Sequence, residues 1–521
     1  MKNITLLKAK VGILAVSCLS ITALFACVDK DARSDLNPNL PTDQAQNGDF
    51  GDQGGGSEQG LNFPVFDDGV LAFPGAEGYG KNVTGARAGE GREIYHVTNL
   101  NDAGPGSFRD AVSKPWRIIV FDVSGVIKLS SNPIVLKSNQ TILGHTAPGD
   151  GIVLYNGRVS ASGAQNLIVR YLRIRMGAAY PSELDACGIA NGANMIFDHC
   201  SMTWGKDECF SINPDGKGTA PKNITIQNSI IGQGLQNHSC GGLMQTDISN
   251  GCTIFRNLYI DNKTRNPKVK GLNQFVNNVV YNWGSGAAYN MSGDSQGKSE
   301  TTIENNYFIV GPCHNWQNVA QPDGSIKTEY VPMNPARPFT GGNGNFNTYC
   351  KGNYYDNNKD GALDGVEITE TNWSQYCSGS PVFLEARSDL HPIIRSQKSA
   401  QEAYEWVVEK VGAYLPVRDE VDKYLMDELI SLGRKGTIIQ DERKAEQFPL
   451  GGPGTINAAQ KPLDSDNDGM PDAFEDAWGL DKYDSTDAVK EAKNGYLNIE
   501  NYALSLEYPD EYEYELNKNK Q

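Results

Sequence analysis

Residues 252–260 read Cys-Thr-Ile-Phe-Arg-Asn-Leu-Tyr-Ile, residues 274–281 read Gln-Phe-Val-Asn-Asn-Val-Val-Tyr, and residues 301–310 read Thr-Thr-Ile-Glu-Asn-Asn-Tyr-Phe-Ile-Val. Each is a short run of β-branched and aromatic residues broken by a polar residue and an asparagine, with no apolar recurrence at helical spacing. Runs of the same kind occupy 117–123, 166–175, 194–198 and 223–231. Asn228, Asn257, Asn278 and Asn306 recur within them at intervals of roughly 20–30 residues, a solenoid-like period. Stacked turns can align such asparagines into a side-chain ladder. The pattern predicts an all-β chain folded as a right-handed parallel β-helix, each turn made of short strands joined by loops of variable length. A β-sandwich or propeller is the competing architecture, and the absence of hairpin turn dipeptides between consecutive runs counts against it.

Outside these runs the chain divides by composition. Lys2, Lys8 and Lys10 precede the apolar stretch 11–25, and Cys27 follows the small residue Ala26. Residues 1–27 therefore read as a lipoprotein export signal that leaves Cys27 lipidated at the bacterial cell envelope; the alternative is an ordinary secretory signal. No other stretch reaches the ~18 consecutive apolar residues of a membrane span, so membrane association is expected through the lipid alone. Residues 28–62 are rich in Asp, Asn, Gln and Gly and bury too little apolar surface to offset their ordering entropy, which predicts a flexible tether. The β-helix is expected over 63–395, a helical segment over 396–457 and a short tail over 458–521.

The 63 acidic and 46 basic residues leave a formal net charge of −17, which argues against nucleic acid as a partner. Against that background the run Thr264-Arg265-Asn266-Pro267-Lys268-Val269-Lys270 concentrates cations in one place and predicts local work on an anionic group. Beyond the signal and Cys27, the cysteines form no CxxC pair, which argues against a zinc site. An exported setting allows disulfides, while burial as small apolar residues inside stacked strands fits equally.

Two further patterns lie near the C-terminus. Residues 401–411 and 418–432 carry apolar residues at helical spacing, with Pro416 between them. Asp464-Ser465-Asp466-Asn467-Asp468-Gly469 then supplies side chains at positions 1, 3 and 5 of an EF-hand-like loop with glycine at 6. The Met470 carbonyl falls at 7, Asp472 at 9 and Glu475 at 12, the complete ligand pattern of a calcium loop. Asp464, Asp466, Asp468, Asp472 and Glu475 are thus expected to hold a structural calcium that clamps the C-terminal segment.

Six fragments in order carry a resemblance to a known family. They are Phe73-Pro74-Gly75-Ala76-Glu77-Gly78-Tyr79-Gly80, Val97-Thr98-Asn99-Leu100-Asn101-Asp102-Ala103-Gly104-Pro105-Gly106-Ser107 and Phe121-Asp122-Val123-Ser124-Gly125, then Thr146-Ala147-Pro148-Gly149-Asp150-Gly151-Ile152, Phe197-Asp198-His199-Cys200-Ser201 and Arg265-Asn266-Pro267. Over roughly residues 73–312 the chain resembles the pectate lyases of polysaccharide lyase family 1. The resemblance implies calcium-dependent cleavage of polygalacturonate or pectin by β-elimination. That chemistry removes the C5 proton, which is acidic only because a carboxyl group adjoins it, so neutralising the carboxylate with a hard cation and basic side chains is half of the task.

The resemblance assigns the base to Arg265 in an R-x-P-x-x-R pattern that here ends in Lys270, with Lys268 and Lys270 as substrate-binding cations. Pro267 is expected to keep the segment extended. Since a guanidinium is almost always charged, the role calls for crowding by Lys263, Lys268 and Lys270 or for alkaline conditions. Asp185 and Asp207 match calcium ligands; Thr203 stands where other members have an acid, leaving Glu208 or a water to fill the gap. The stretch 236–242 lacks the lysine many members have there, and His238 is the candidate to bind substrate in its place. His199 is expected to be structural. A monomer is predicted. A non-catalytic pectin-binding β-helix and a β-helix hydrolase are the alternative functions; for the latter, Asp207-Glu208 is a poor acid pair because adjacent residues tend to point apart.

Overall fold

The computed structural model describes residues 60–63, 69–284, 288–291, 298–335, 337–342 and 344–518. The export signal, Cys27 and nearly all of the 28–62 tether lie outside the described residues. At the tether's end Leu61 is fully buried, so ordered packing begins slightly before residue 63.

Each sequence run proves to be two strands that belong to different sheets. Gly251–Phe255 lies in an 11-stranded sheet and Leu258–Ile260 in a 10-stranded one, with Arg256 between them at φ 57°. Tyr171, His199, Asn228, Asn277 and Asn305 occupy the same corner in other turns, all with φ between 51° and 58°. The left-handed region costs most side chains roughly 1–2 kcal/mol and asparagine less, which accounts for part of the recurrence of asparagine. A third sheet of eight strands completes each turn. Strands stack on their counterparts one turn later in parallel, as in Cys252 on Asn273 and Asn273 on Thr301. The result is a right-handed parallel β-helix.

The asparagine ladder forms with one change of membership. The Asn257 backbone N–H and side chain both donate to Asn278 Oδ1, Asn278 repeats this on Asn306, and Asn306 repeats it on Asn353. Asn228 is not part of it. It occupies the corner, bonding outward to Asp198 and accepting from Arg256, while Ser229 takes the inward position and donates its N–H to Asn257.

Three apolar clusters show which faces are covered. The interior is filled by inward residues such as Ile142, Val169, Phe197, Ile226, Ile254, Phe275 and Ile303. The outer side of the first sheet, including Ile118, Val120 and Ile168, is covered by Met470, Phe474, Ile499 and Tyr502 of the C-terminal segment. The outer side of the second sheet, including Leu258, Val279 and Tyr281, is covered by the helices Ala400–Lys410 and Glu420–Leu429, close to the predicted spans. Ser399 and Glu402 form a capping box on the first of these. The second is fastened by Arg175, which is fully buried and donates to Asp419 at 2.8 and 2.9 Å and to Asp422 at 2.9 Å. On the third sheet the strands alternate instead: Met244 and Val269 point inward, and Leu243, Gln245, Lys268 and Lys270 remain partly exposed. This is the face left available to a ligand.

Two helices in the tail, Asn498–Glu507 and Pro509–Lys518, were not anticipated. An antiparallel hairpin, His314–Ala320 with Ile326–Pro332, is inserted in one turn without disturbing the pairing of Ser299–Glu304 with Phe346–Lys351. The eight described cysteines are all buried and unbridged, so the small-apolar reading holds and no disulfide forms among them.

Candidate active site

The exposed third sheet is entered by a row of turns, one per rung. Glu208 bridges to Cys240, and Cys240 to Thr264, immediately before the strands Phe210–Ile212, Leu243–Gln245 and Lys268–Lys270. The Gly241 N–H donates to Thr264 O at 3.0 Å and the Gly242 N–H to Arg265 O at 2.7 Å. A Cβ at Gly242 would sit 1.9 Å from the Phe210 carbonyl oxygen, so these turns approach one another only because a side chain is missing. Arg265 is not extended, as Pro267 led us to expect. It has φ 57°, the conformation in which its carbonyl receives Gly242 and its side chain is turned back across the preceding rungs.

There Arg265 Nη1 donates to Glu208 Oε1. Glu208 is 2% exposed, and one carboxylate oxygen from each of Asp185, Asp207 and Glu208 lies within 4.8 Å of the others. Adjacent side chains converge here because 205–208 is a turn, with the Lys206 and Asp207 N–H groups both donating to Leu184 O, and strand alternation does not apply. Arg158, not singled out from the sequence, approaches Asp185 Oδ2 at 3.8 Å. Gly188 beside them carries no side chain, and a Cβ there would stand 3.1 Å from both Arg158 Nη2 and Asp185 Oδ2.

His238 Nε2 lies 2.9 Å from Asp207 Oδ1, on the rim. Thr203 is elsewhere: it is buried and accepts from Arg175 at 3.2 Å, so Glu208 and not Thr203 completes the carboxylate group. Lys268 and Lys270 project from the same face one turn beyond Leu243 and Gln245. The stretch 236–242 has no lysine of its own, but Lys263 from the next turn donates its ammonium to the Asn237 carbonyl at 2.6 Å. His199 is buried, stacks on Tyr171 at 4.8 Å and lies 3.2 Å from Gly412 O, in the structural role expected.

The electrostatics follow from this crowding. Burial, reinforced by Asp185 and Asp207 and opposed by Arg265, pushes the Glu208 carboxyl up to about 9. Burial also raises Asp185, while the hydrogen bond to His238 holds Asp207 low. Burial would lower Arg265, but Cys240, Glu208 and Asp207 outweigh it and the guanidinium is held above its ordinary value. Crowding by neighbouring lysines therefore does not dominate Arg265 in this arrangement. Lys263, by contrast, is lowered, chiefly by burial. The donors are all hard oxygens, and burial disfavours ionisation of two of the three carboxyls even beside Arg158 and Arg265. Such a set suits calcium.

The loop at 464–475 is a separate site. Asp464, Asp466 and Asp468 offer oxygens within 4.8 Å of one another, and Asp468, Glu475 and Asp487 do the same. Asp472 is not directed to this group: it accepts from the Ser465 N–H and Oγ–H, both at 2.8 Å. Asp487, outside the loop pattern, lies with Asp468 and Glu475.

A family model for pectate lyase matches residues 74–354. A probable pectate lyase C of Aspergillus fumigatus is 48% identical over 437 residues, covering 84% of this chain and 94% of that protein. Its counterpart from Aspergillus flavus is 47% identical over 448 residues, covering 86% and 96%. Among solved structures, one concerned with the substrate specificity and anti β-elimination mechanism of pectate lyase is 16% identical, with a TM-score of 0.44 over 68% of this chain and 98% of that one.

Proposed function

The chain belongs to the pectate lyase family of polysaccharide lyases, and from that premise we propose that it cleaves 1,4-linked galacturonan by β-elimination with the aid of calcium, Arg265 taking the C5 proton. The observation that carries the reading is the meeting of Arg265 with Asp185, Asp207 and Glu208 on the uncovered face. Asp185, Asp207 and Glu208 would hold the calcium, whose contribution when bound is to neutralise the substrate carboxylate and so acidify C5.

The residues around it divide the remaining work. Glu208 accepts from Arg265 and, when ionised, favours the charged guanidinium. Were that charge committed to a cation, burial would act on the guanidinium with less opposition and favour its neutral, proton-accepting form. Lys263, Lys268 and Lys270 bind the anionic chain, and His238 holds Asp207 in place while offering a donor at the rim. Substrate binding by Lys268, Lys270 and His238 is part of this proposal.

Export also belongs to the proposal, read from the 1–27 leader. The named relatives are fungal and lend no support to a bacterial lipid anchor at Cys27. The decisive assay supplies purified protein with polygalacturonate and calcium. Ultraviolet absorbance from a C4–C5 double bond is expected, lost on chelation. Arg265→Ala should lower kcat by about 10²–10⁴ with little change in binding. An unchanged kcat removes Arg265 from the base role, and chelator-resistant activity removes the calcium.

A further inference from the structure

The C-terminal carboxylates have a feature that an acidic surface turn lacks: their oxygens are buried and face nothing. Both oxygens of Asp466, both of Glu475, Asp468 Oδ2 and Asp487 Oδ1 are shielded from solvent and have no hydrogen-bond partner. Glu475 is 0%, Asp468 3% and Asp487 4% exposed. An isolated buried carboxylate is costly enough that it must be protonated or face a cation. The nearby ammonium, Lys461, stays at the edge, 3.4 Å from Asp464 Oδ2 and also bonded to Asp122 and Asn467. Lys490 is paired with Asp484.

We infer that Asp464, Asp466, Asp468, Glu475 and Asp487 form a calcium site that fastens the C-terminal segment to the opening turns of the β-helix. The spacing fits the ion. Donors about 2.3–2.6 Å from a common centre stand at most about 5 Å apart, and the oxygens lie within 4.8 Å of one another in each of two triads sharing Asp468. All five ligands are carboxylates, a charge count that favours calcium over the more hydrated magnesium. Asp472 serves differently, holding the loop closed through Ser465.

The mechanical consequence is read from the packing. Gly469 lies against Val120 and Ile94, and a Cβ there would meet both at 3.3–3.4 Å. Met470 and Phe474 join the cluster containing Ile118 and Val120. Asp487, remote from the loop in sequence, ties the following segment to the same ion.

The test uses the full chain, stripped with chelator and titrated with calcium alone. The melting temperature of the wild type should rise with calcium and much less with magnesium. Carbodiimide labelling read by mass spectrometry should show calcium protecting Glu475 and Asp487. Asp487→Asn should weaken this site roughly tenfold or more and remove most of the melting shift, leaving lyase activity of the folded protein unchanged. Asp472→Asn should stay within roughly threefold of wild type. Asp185→Asn should retain the melting shift, which separates this site from the proposed catalytic one. Calcium affinity unchanged in Asp487→Asn, labelling indifferent to calcium, or equal stabilisation by magnesium would overturn the assignment.

Discussion

Replacing Arg175 with methionine should cost about 3–5 kcal/mol, the range seen when one partner of a buried ion pair is removed. Arg175, Asp419 and Asp422 have no exposed side-chain surface, and the guanidinium makes three contacts of 2.8–2.9 Å. At an effective dielectric near 20, each charge pair at about 4 Å is worth about 4 kcal/mol, so two carboxylates lose most of what offsets their desolvation. Some compensation survives. Arg173 stays 3.6 Å from Asp419, and the Asp422 N–H still donates to Asp419 at the helix N-cap. Methionine restores apolar volume but no charge. Adding Asp422→Asn to Arg175→Met removes one stranded charge and should recover about 1–2 kcal/mol. Urea unfolding followed by tryptophan fluorescence suits the measurement, since Arg175 lies 5.5 Å from the Trp204 ring. A loss below about 1 kcal/mol, or a double variant weaker than the single one, would refute the reasoning.

Three other outcomes are expected. Burial depresses His199 to about 4, so below pH 6.5 the unfolded chain gains a proton that the folded chain refuses; stability should fall by about 3 kcal/mol from this group as pH drops from 6.5 to 4, and His199→Asn should flatten that slope in pH-dependent denaturation. Asn278→Ala should lose about 1–3 kcal/mol in urea titration, because it strands the Asn257 N–H and removes the amide's bond to the Ile254 carbonyl inside the solenoid. Lys270→Ala should raise KM for polygalacturonate by about tenfold, or about 1.4 kcal/mol, with kcat nearly unchanged, and a fall in kcat at constant KM would contradict a binding role.

What could be read from the sequence was local. The runs at 252–260 and 274–281 announced their strands through residue type, and the basic run at 264–270 announced the arginine. The partners of that arginine were hidden because they arrive from other turns. Asp185 and Glu208 meet through rung register, which the pairing of Cys187 with Phe210 two residues on sets and no linear motif encodes. Strand alternation, which would point Asp207 and Glu208 apart, does not hold in the turn where they sit. Lys263 reaches the lysine-free stretch 236–242 only in three dimensions. Asn228 and Asn257 look alike as letters, yet a one-residue difference in position sends the first to the corner and the second into the ladder. Asp487 lies beyond Glu475, where the loop pattern ends, and joins Asp468 and Glu475 only in the fold. The helix Asn498–Glu507 did leave a signal, with Ile499, Tyr502 and Ala503 at helical spacing.

The hairpin at 314–332 interrupts one turn, yet the strands on either side pair as if it were absent. Closing a longer excursion costs an entropy that grows only as the logarithm of its length, about 0.6 kcal/mol per doubling. Architecture of this kind separates two design problems. The floor, where Arg265 and the carboxylates stand, is fixed by stacking register, whereas the walls can be lengthened, shortened or exchanged turn by turn. The hairpin can therefore change in length while the stacking beneath Arg265 and the carboxylates keeps its register.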